Sequence, residues 1–184
     1  MARNPILETR VLLVCAAIGV ATGIVTIIWT PLHGIVAVGA VPVYGLILGF
    51  HALPGVIAQQ VLRLPWVALI THGMAALIAC AFVPVMAGRY LAAAIVFGGV
   101  QEGISALTRY RHWETWRFLL SGVITGVILA IPMWFAFHVG GLEPWAASLF
   151  VVCFVLGPVA WTAVGLGIGS ALRRAGVARP AVRR

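Results

Sequence analysis

The sequence contains no lysine and no aspartate, and charged residues occupy only 9% of its 184 positions. A soluble domain usually has about 25% charged residues. Apolar residues make up 62% of the chain, and they form runs long enough to cross a bilayer. These runs are too long and unbroken for barrel strands. The composition therefore excludes a soluble domain and predicts an all-α integral membrane protein.

Motifs for catalysis and for metal binding are also missing. The sequence has no phosphate-binding Gly-x-x-x-x-Gly-Lys loop, no His-Glu-x-x-His pair and no Gly-x-Ser-x-Gly motif. The three cysteines lie far apart within apolar runs, which argues against a disulfide framework or a zinc site. We therefore predict no catalytic residue, no metal site and no cofactor. A transporter built on this chain would need its ATPase from another protein.

The apolar runs predict six transmembrane helices in a single membrane domain over residues 1–184. The predicted spans are residues 11–29, 38–61, 65–83, 91–108, 117–138 and 146–172. Each has about the twenty residues that a helix needs to cross ~30 Å of hydrocarbon. The second run is interrupted by Pro54 and Gly55. The expected architecture is a bundle of six helices with short connections.

The arginines predict the orientation of this bundle. With a cytoplasmic N-terminus, the inner segments hold Arg3, Arg10, Arg63, Arg109, Arg111, Arg117, Arg173, Arg174, Arg179, Arg183 and Arg184. Only Arg89 lies on the outer side. Arginine is enriched in cytoplasmic loops, so we predict that both termini are cytoplasmic. The net charge of +8 thus follows membrane topology, and we expect no nucleic-acid partner.

Small residues spaced by four mark surfaces where helices pack closely in lipid. The first span carries two such rows: Cys15, Gly19 and Gly23 form one, and Ala17 and Ala21 form the other. Packing inside the bundle accounts for one row. We predict that the first span also faces a partner protein, with Ala17, Gly19 and Ala21 as the docking residues.

Glu102 is the only acidic residue within a predicted span, where a charged group is costly and usually faces the bundle interior. His72 has similarly small neighbours in the third span. Counted from Arg63 and Arg109, both lie roughly 10–14 Å above the inner arginines, so a contact between them is possible. The alternatives are a structural hydrogen bond, part of a ligand pocket, or an acid–base pair. Gln101, the preceding residue, faces about 100° away from Glu102, and we expect it to contribute less to such a contact or site.

Three stretches, taken in order and spacing with the six-span layout, resemble a known family. They are Pro-Val-Tyr-Gly at 42–45, Arg-Leu-Pro-Trp-Val-Ala-Leu at 63–69 and Glu-Gly-Ile-Ser-Ala-Leu-Thr-Arg-Tyr at 102–110. The chain is similar over nearly its whole length to the YkoE-like group of S components, the substrate-binding subunits of energy-coupling-factor (ECF) vitamin transporters.

The resemblance implies a fold, partners and a substrate. Such proteins are six-helix bundles of the bacterial cell membrane that bind a vitamin near the outer face. They dock through small residues of the first helix on an energy-coupling transmembrane subunit that carries two ATPase subunits. Thiamine or its hydroxymethylpyrimidine precursor is the substrate that the YkoE-like group implies.

The expected binding residues combine aromatic faces with polar groups. A cationic heterocycle binds well against aromatic rings with a carboxylate nearby. The candidates are Tyr44, His72, Glu102, Trp134 and Trp161. The sequence departs from the family pattern at Phe97, where the family often has glutamine, and at His72, where it often has glutamate. It also has Leu46-Ile47 where the family has a tryptophan.

Two other functions remain open at this point. The first is a small membrane-embedded enzyme that uses His72 and Glu102 as an acid–base pair. The second is a membrane assembly protein without transport activity, which uses its glycine-rich helix faces for contact with partners.

Overall fold

The computed structural model describes residues 8–177, and within them the chain forms seven α-helices joined by short turns. The helices are α1 (Thr9–Gly39), α2 (Tyr44–Leu48), α3 (Leu53–Leu62), α4 (Val67–Phe82), α5 (Ala87–Leu107), α6 (Thr115–Ala136) and α7 (Pro144–Arg174). The predicted all-α membrane fold is confirmed. Arg3, Arg179, Arg183 and Arg184, used in the orientation argument, lie outside the described residues. The cytoplasmic position of both termini stays a prediction.

Five segments are long and apolar enough to cross a membrane, and α4 is shorter, with 16 residues. The second predicted span corresponds to α2 and α3 together, over Val41–Leu62. The first span extends ten residues beyond its predicted end, because Pro31 lies inside α1 without ending it. We call the end of the bundle where α1 and α6 finish the outer end, following the predicted orientation.

The second span is broken by a 3-10 turn at Gly49–Ala52, between α2 and α3. Pro54, expected at the interruption, instead lies in the first turn of α3. A proline is tolerated there because the missing N–H would have no partner in that turn. The broken segment lies against α7 with very little space between the two backbones. A Cβ atom on Gly157 would come within 2.7 Å of the Gly45 carbonyl carbon.

The two small-residue rows of α1 face different surroundings. Gly19 and Gly23 pack on α4, where a Cβ on Gly19 would lie 2.7 Å from Met74 Cβ. Ala17 and Ala21 are exposed on the outside of the bundle. The prediction that Gly19 faces a partner does not agree with this packing, since its surface is already covered by α4. Ala17 and Ala21 keep the accessible position that docking requires.

Glycines of α7 provide a matched test of this packing. We expect Gly157→Ala to lower the free energy of unfolding by about 1–3 kcal/mol, because overpacking forces backbones apart. Gly167→Ala, in the same helix, has no atom within 4 Å of its Cβ position. That control should be neutral or gain up to about 1 kcal/mol from helix propensity. Thermal unfolding of the purified variants in detergent measures both, and equal stability of the two would contradict the close contact.

Candidate functional site

A cavity of about 300 Å³ opens at the outer end of the bundle. Its walls come from the end of α1, from α2 and the turn after it, from the first half of α5, and from the end of α6. Binding sites for small molecules usually have volumes of about 300–1,000 Å³ and apolar walls with a few placed polar groups. The size and lining of this cavity therefore suit a compact ligand.

The break in the second span places Tyr44 deep in this cavity. Tyr44 is only 1% exposed, and its ring lies 5.7 Å from that of His33 and 5.1 Å from that of Phe137. Its hydroxyl accepts a hydrogen bond of 3.0 Å from Arg89 Nη2. Arg89, at the start of α5, is exposed and lines the cavity. Its bond to the buried Tyr44 hydroxyl holds the guanidinium group at the cavity wall.

The floor of the cavity is a row of rings tilted against one another. The His33 and His51 rings lie 5.4 Å apart, and the His51 and Phe97 rings lie 6.0 Å apart. His33 is buried, and its Nε2 has no hydrogen-bond partner among the described residues. Phe97 is fully buried where the family pattern often has glutamine. The departure noted in the sequence thus lies in the cavity itself and makes its floor apolar.

The side of the cavity toward α1 is closed by a hydroxyl pair. The Thr30 and Tyr90 oxygens lie 2.6 Å apart, and both residues line the cavity. Thr30 is also bonded to the Thr26 carbonyl one turn earlier in α1. The pair joins α1 to α5 across the opening and leaves few donors free on this side.

Below the floor lies a polar network that involves His72 but not Glu102. His72 Nε2 lies 3.0 Å from Gln101 Oε1, and Gln101 Nε2 donates to the Ala52 carbonyl at 3.0 Å. Gln59 extends the network by donating to Ser105 Oγ at 3.1 Å. Gln101, of which the sequence analysis expected less, is therefore the partner of His72. The possible contact between His72 and Glu102 is not present.

Glu102 has a different role, at the inner end of the bundle. Its carboxylate accepts hydrogen bonds from the backbone N–H of Trp66, at 2.5 Å, and of Ala68, at 3.2 Å. These groups belong to the first turn of α4, which has no capping side chain of its own. Free N–H groups at a helix start need partners, especially within a bilayer. Glu102 therefore caps α4 from the neighbouring helix.

Tyr110, in the connection after α5, lies close to the same carboxylate. Burial, together with the negative charge of Glu102 and a hydrogen bond to it, raises the pKa of Tyr110 to about 12. The phenol thus keeps its proton at physiological pH and can donate it to Glu102. The Glu–Tyr pair at the ends of the third motif of the sequence therefore lies at the start of α4, outside the wall of the cavity.

The structure does not bring the five predicted binding residues together. Tyr44 lines the cavity, whereas Trp134 packs on Phe150 with ring centroids 6.1 Å apart. Trp161 donates to the Leu46 carbonyl at 2.8 Å, a group that the break after α2 leaves available. His72 lies beneath the floor, 6.4 Å from the Phe97 ring. With Glu102 capping α4, four of the five candidates lie outside the wall of this cavity.

Sequence reasoning missed Arg89, His33 and His51 as cavity residues. A signal for Arg89 was present, because it is the one arginine on the predicted outer side and so departs from the positive-inside pattern. No comparable signal marked the two histidines. They approach each other only because the 3-10 turn at Gly49–Ala52 rotates His51 toward the end of α1.

The fold has been seen before. It matches a solved structure described as "Crystal structure of an S-component of ECF transporter", with a TM-score of 0.80 and 21% sequence identity. The match covers 92% of this chain and 87% of the other. The present chain therefore has the fold of that S component.

The sequence itself defines the family. Residues 10–128 match the family model described as "ABC-type cobalt transport system, permease component". This match spans more than half of the chain, and the chain belongs to that family. No curated protein matches the sequence.

The capping role of Glu102 can be separated from a role in ligand binding. We expect Glu102→Gln to lower the free energy of unfolding by about 1–3 kcal/mol, because the amide replaces a charged acceptor at buried N–H groups. Ligand affinity in the outer cavity should stay the same. The control is Glu114→Gln, whose carboxylate is bonded to Arg117 and His112 at the exposed inner surface. Thermal unfolding and ligand titration measure the two properties, and a selective loss of affinity would contradict the capping role.

Proposed function

We propose that this chain is the substrate-binding S component of an ECF-type transporter in a bacterial cell membrane, and that it captures a small vitamin-related heterocycle for uptake driven by ATP. The observation that carries the proposal is the cavity at the outer end of a bundle with the S-component fold. Membership of a family of transport permease components supports it. The chain on its own would have no enzymatic activity.

The walls of the cavity suit a flat ring. Rings of His33, His51 and Phe97 line its floor, and Tyr44 stands at one side. Aromatic faces bind planar heterocycles by offset or edge-to-face packing worth about 0.5–1.5 kcal/mol per pair. Thiamine or its hydroxymethylpyrimidine precursor, implied by the family resemblance, is the first substrate class to test. The aminopyrimidine ring is common to both compounds.

The proposed partners are an energy-coupling transmembrane subunit and two ATPase subunits. The exposed row of Ala17 and Ala21 gives α1 a flat strip on which another helix can pack closely. Larger apolar side chains, Leu13, Ile24 and Ile28, are exposed on the same helix. The surrounding lipid covers this surface when no partner is bound.

The structure favours this function over the two alternatives. An acid–base pair of His72 and Glu102 requires the two side chains to meet, and each is bonded to other groups instead. A passive assembly protein would not need an open cavity lined by polar and aromatic groups at one end. The transport function accounts for both the cavity and the accessible row on α1.

Binding in the cavity can be tested with the purified protein in detergent. Thiamine, hydroxymethylpyrimidine and other B vitamins are added separately, and unfolding is followed by temperature. A ligand at 100 times its dissociation constant should stabilise the folded state by about 2.7 kcal/mol. Ala93→Trp, which fills the cavity, should abolish the stabilisation, and Ile95→Trp, on the exposed side of the same helix, should not. Stabilisation that persists in Ala93→Trp would place the ligand elsewhere.

Docking is tested by copurification with the coupling and ATPase subunits from the same cell. We expect the double variant Ala17→Trp/Ala21→Trp to lose the partners and to keep its ligand, since the row lies away from the cavity. The matched control is Val152→Trp/Leu156→Trp, at the same spacing on an exposed face of α7. Complex formation by the α1 variant would show that the partner binds a different surface.

A further inference from the structure

We infer that the substrate of this cavity carries an anionic oxygen group, a carboxylate or a phosphate, which is bound by Arg89 with Tyr44 and His33. The inference rests on the proposed function and narrows its substrate class. It points to anionic heterocycles and away from a cationic ligand such as thiamine itself.

The charges around the cavity favour an anion. Arg89 is the one charged side chain among the lining residues. The chain has four acidic residues, all within the described part: Glu8, Glu102, Glu114 and Glu143. None of the four lines the cavity or forms an ion pair with Arg89. Glu143, at the same end of the bundle in the connection before α7, is exposed. A cation in the cavity would thus meet a like charge without a counterion.

Arg89 has unused donors in a suitable place. A guanidinium group has five N–H donors and matches a carboxylate or phosphate through two parallel hydrogen bonds. Among the described residues, its only bonds are one to the Tyr44 hydroxyl and a weak contact of 3.7 Å with Met86 Sδ. Tyr44 accepts from Arg89, so its own proton is available. The two side chains, joined by this bond, both line the cavity and together have several unused donors.

His33 supplies a further polar group that has no protein partner. Its side chain is 8% exposed, and its Nε2 is buried without a hydrogen bond among the described residues. A buried polar atom without a partner is costly, and native proteins rarely keep one unless a ligand or water satisfies it. The His33 ring lies 5.7 Å from that of Tyr44. His33, Tyr44 and Arg89 all line the same cavity.

The cavity then offers two kinds of contact. Arg89 and Tyr44 provide hydrogen-bond donors at its side, and the floor combines the rings of His51 and Phe97 with the unpartnered Nε2 of His33. A ligand that joins a flat ring to a carboxylate or phosphate can use both. A neutral ring alone would gain nothing from the charge of the guanidinium group.

The test uses pairs of compounds that share a ring and differ in the anionic group. The pairs are pyridine-3-carboxylate with pyridine-3-carboxamide, hydroxymethylpyrimidine phosphate with hydroxymethylpyrimidine, and thiamine monophosphate with thiamine. Dissociation constants are measured with the purified full chain in detergent. We expect the anionic member of at least one pair to bind about 10–100-fold more tightly than the other member. This is the gain expected when a charged group forms hydrogen bonds in a binding site. The carboxylate and phosphate pairs distinguish the two anionic groups.

Variants assign the preference to Arg89. Arg89→Gln should reduce the difference in dissociation constant within a pair to less than about threefold. Arg89→Lys should retain part of that difference, because lysine keeps the positive charge but lacks the paired N–H donors of the guanidinium group. Arg111→Gln, exposed at the opposite end, should bind as the unmodified chain does. His33→Phe keeps a ring on the floor and should weaken the anionic ligand about tenfold. Thermal unfolding without ligand confirms that each variant is folded.

The outcomes separate this inference from the proposed function. The inference would be overturned if neutral or cationic members bind as tightly as their anionic partners, or if the anion preference survives Arg89→Gln. Either result would leave the proposed function, that of a substrate-binding subunit, intact. Failure of every compound, of either charge, to bind would count against the proposed function as well.

Discussion

The close approach of two backbones, at Gly45 and Gly49 on one side and Gly157 on the other, underlies the rest of the structure. No side chain separates the broken second span from α7, so the segment can lie deep in the bundle. Trp161 strengthens the contact by satisfying the Leu46 carbonyl across it. This placement brings Tyr44 to the end of α1 and turns His51 toward His33. The cavity thus exists because one span is not a continuous helix.

The polar groups inside the bundle form two separate systems with different requirements. Near the inner end, Glu102 accepts from backbone N–H groups at the start of α4, and Gln59 donates to the Gln101 carbonyl and to Ser105 Oγ. These bonds satisfy groups that lipid cannot. Near the outer end, Arg89 and His33 retain unused hydrogen-bonding capacity. Satisfied polar groups inside a bundle stabilise and fix a fold, whereas unsatisfied ones beside a cavity are typical of a place that receives a ligand.

Much of the fold could be predicted from the sequence, because hydropathy and length determine where helices cross a bilayer. The six apolar runs and the internal packing of Gly23 follow from rules that act within one helix. The end of α1 was placed too early, since a proline such as Pro31 can remain inside a membrane helix when neighbouring groups satisfy the freed carbonyl. The 3-10 turn that breaks the second span depends on contact with α7, about a hundred residues later, and periodicity carries no information about it.

The site was harder to predict for the same reason. Depth along two helices suggested that His72 and Glu102 could meet, but depth does not give the rotation of each side chain about its helix axis. Gln101 and Glu102 are adjacent in α5 and point in different directions. Gln101 is therefore the partner of His72, and Glu102 bonds to Trp66. Trp134, near the end of α6, and Trp161, in the middle of α7, were both candidate ligand residues in the sequence. Their packing on Phe150 and Leu46 was decided by tertiary structure alone.

The shortness of α4 has a consequence for the surrounding membrane. Its 16 residues extend about 24 Å, against ~30 Å for the hydrocarbon layer. Because its inner end is fixed by Glu102, α4 cannot slide toward the outer surface without losing its cap. The bilayer must therefore thin locally beside this helix, or neighbouring protein must cover its ends. Where lipid and not protein borders α4, that lipid takes up the mismatch, which lipid next to α1 and α7, with 31 residues each, does not meet. The length of the lipid acyl chains thus acts on this protein mainly at the side where α4 lies.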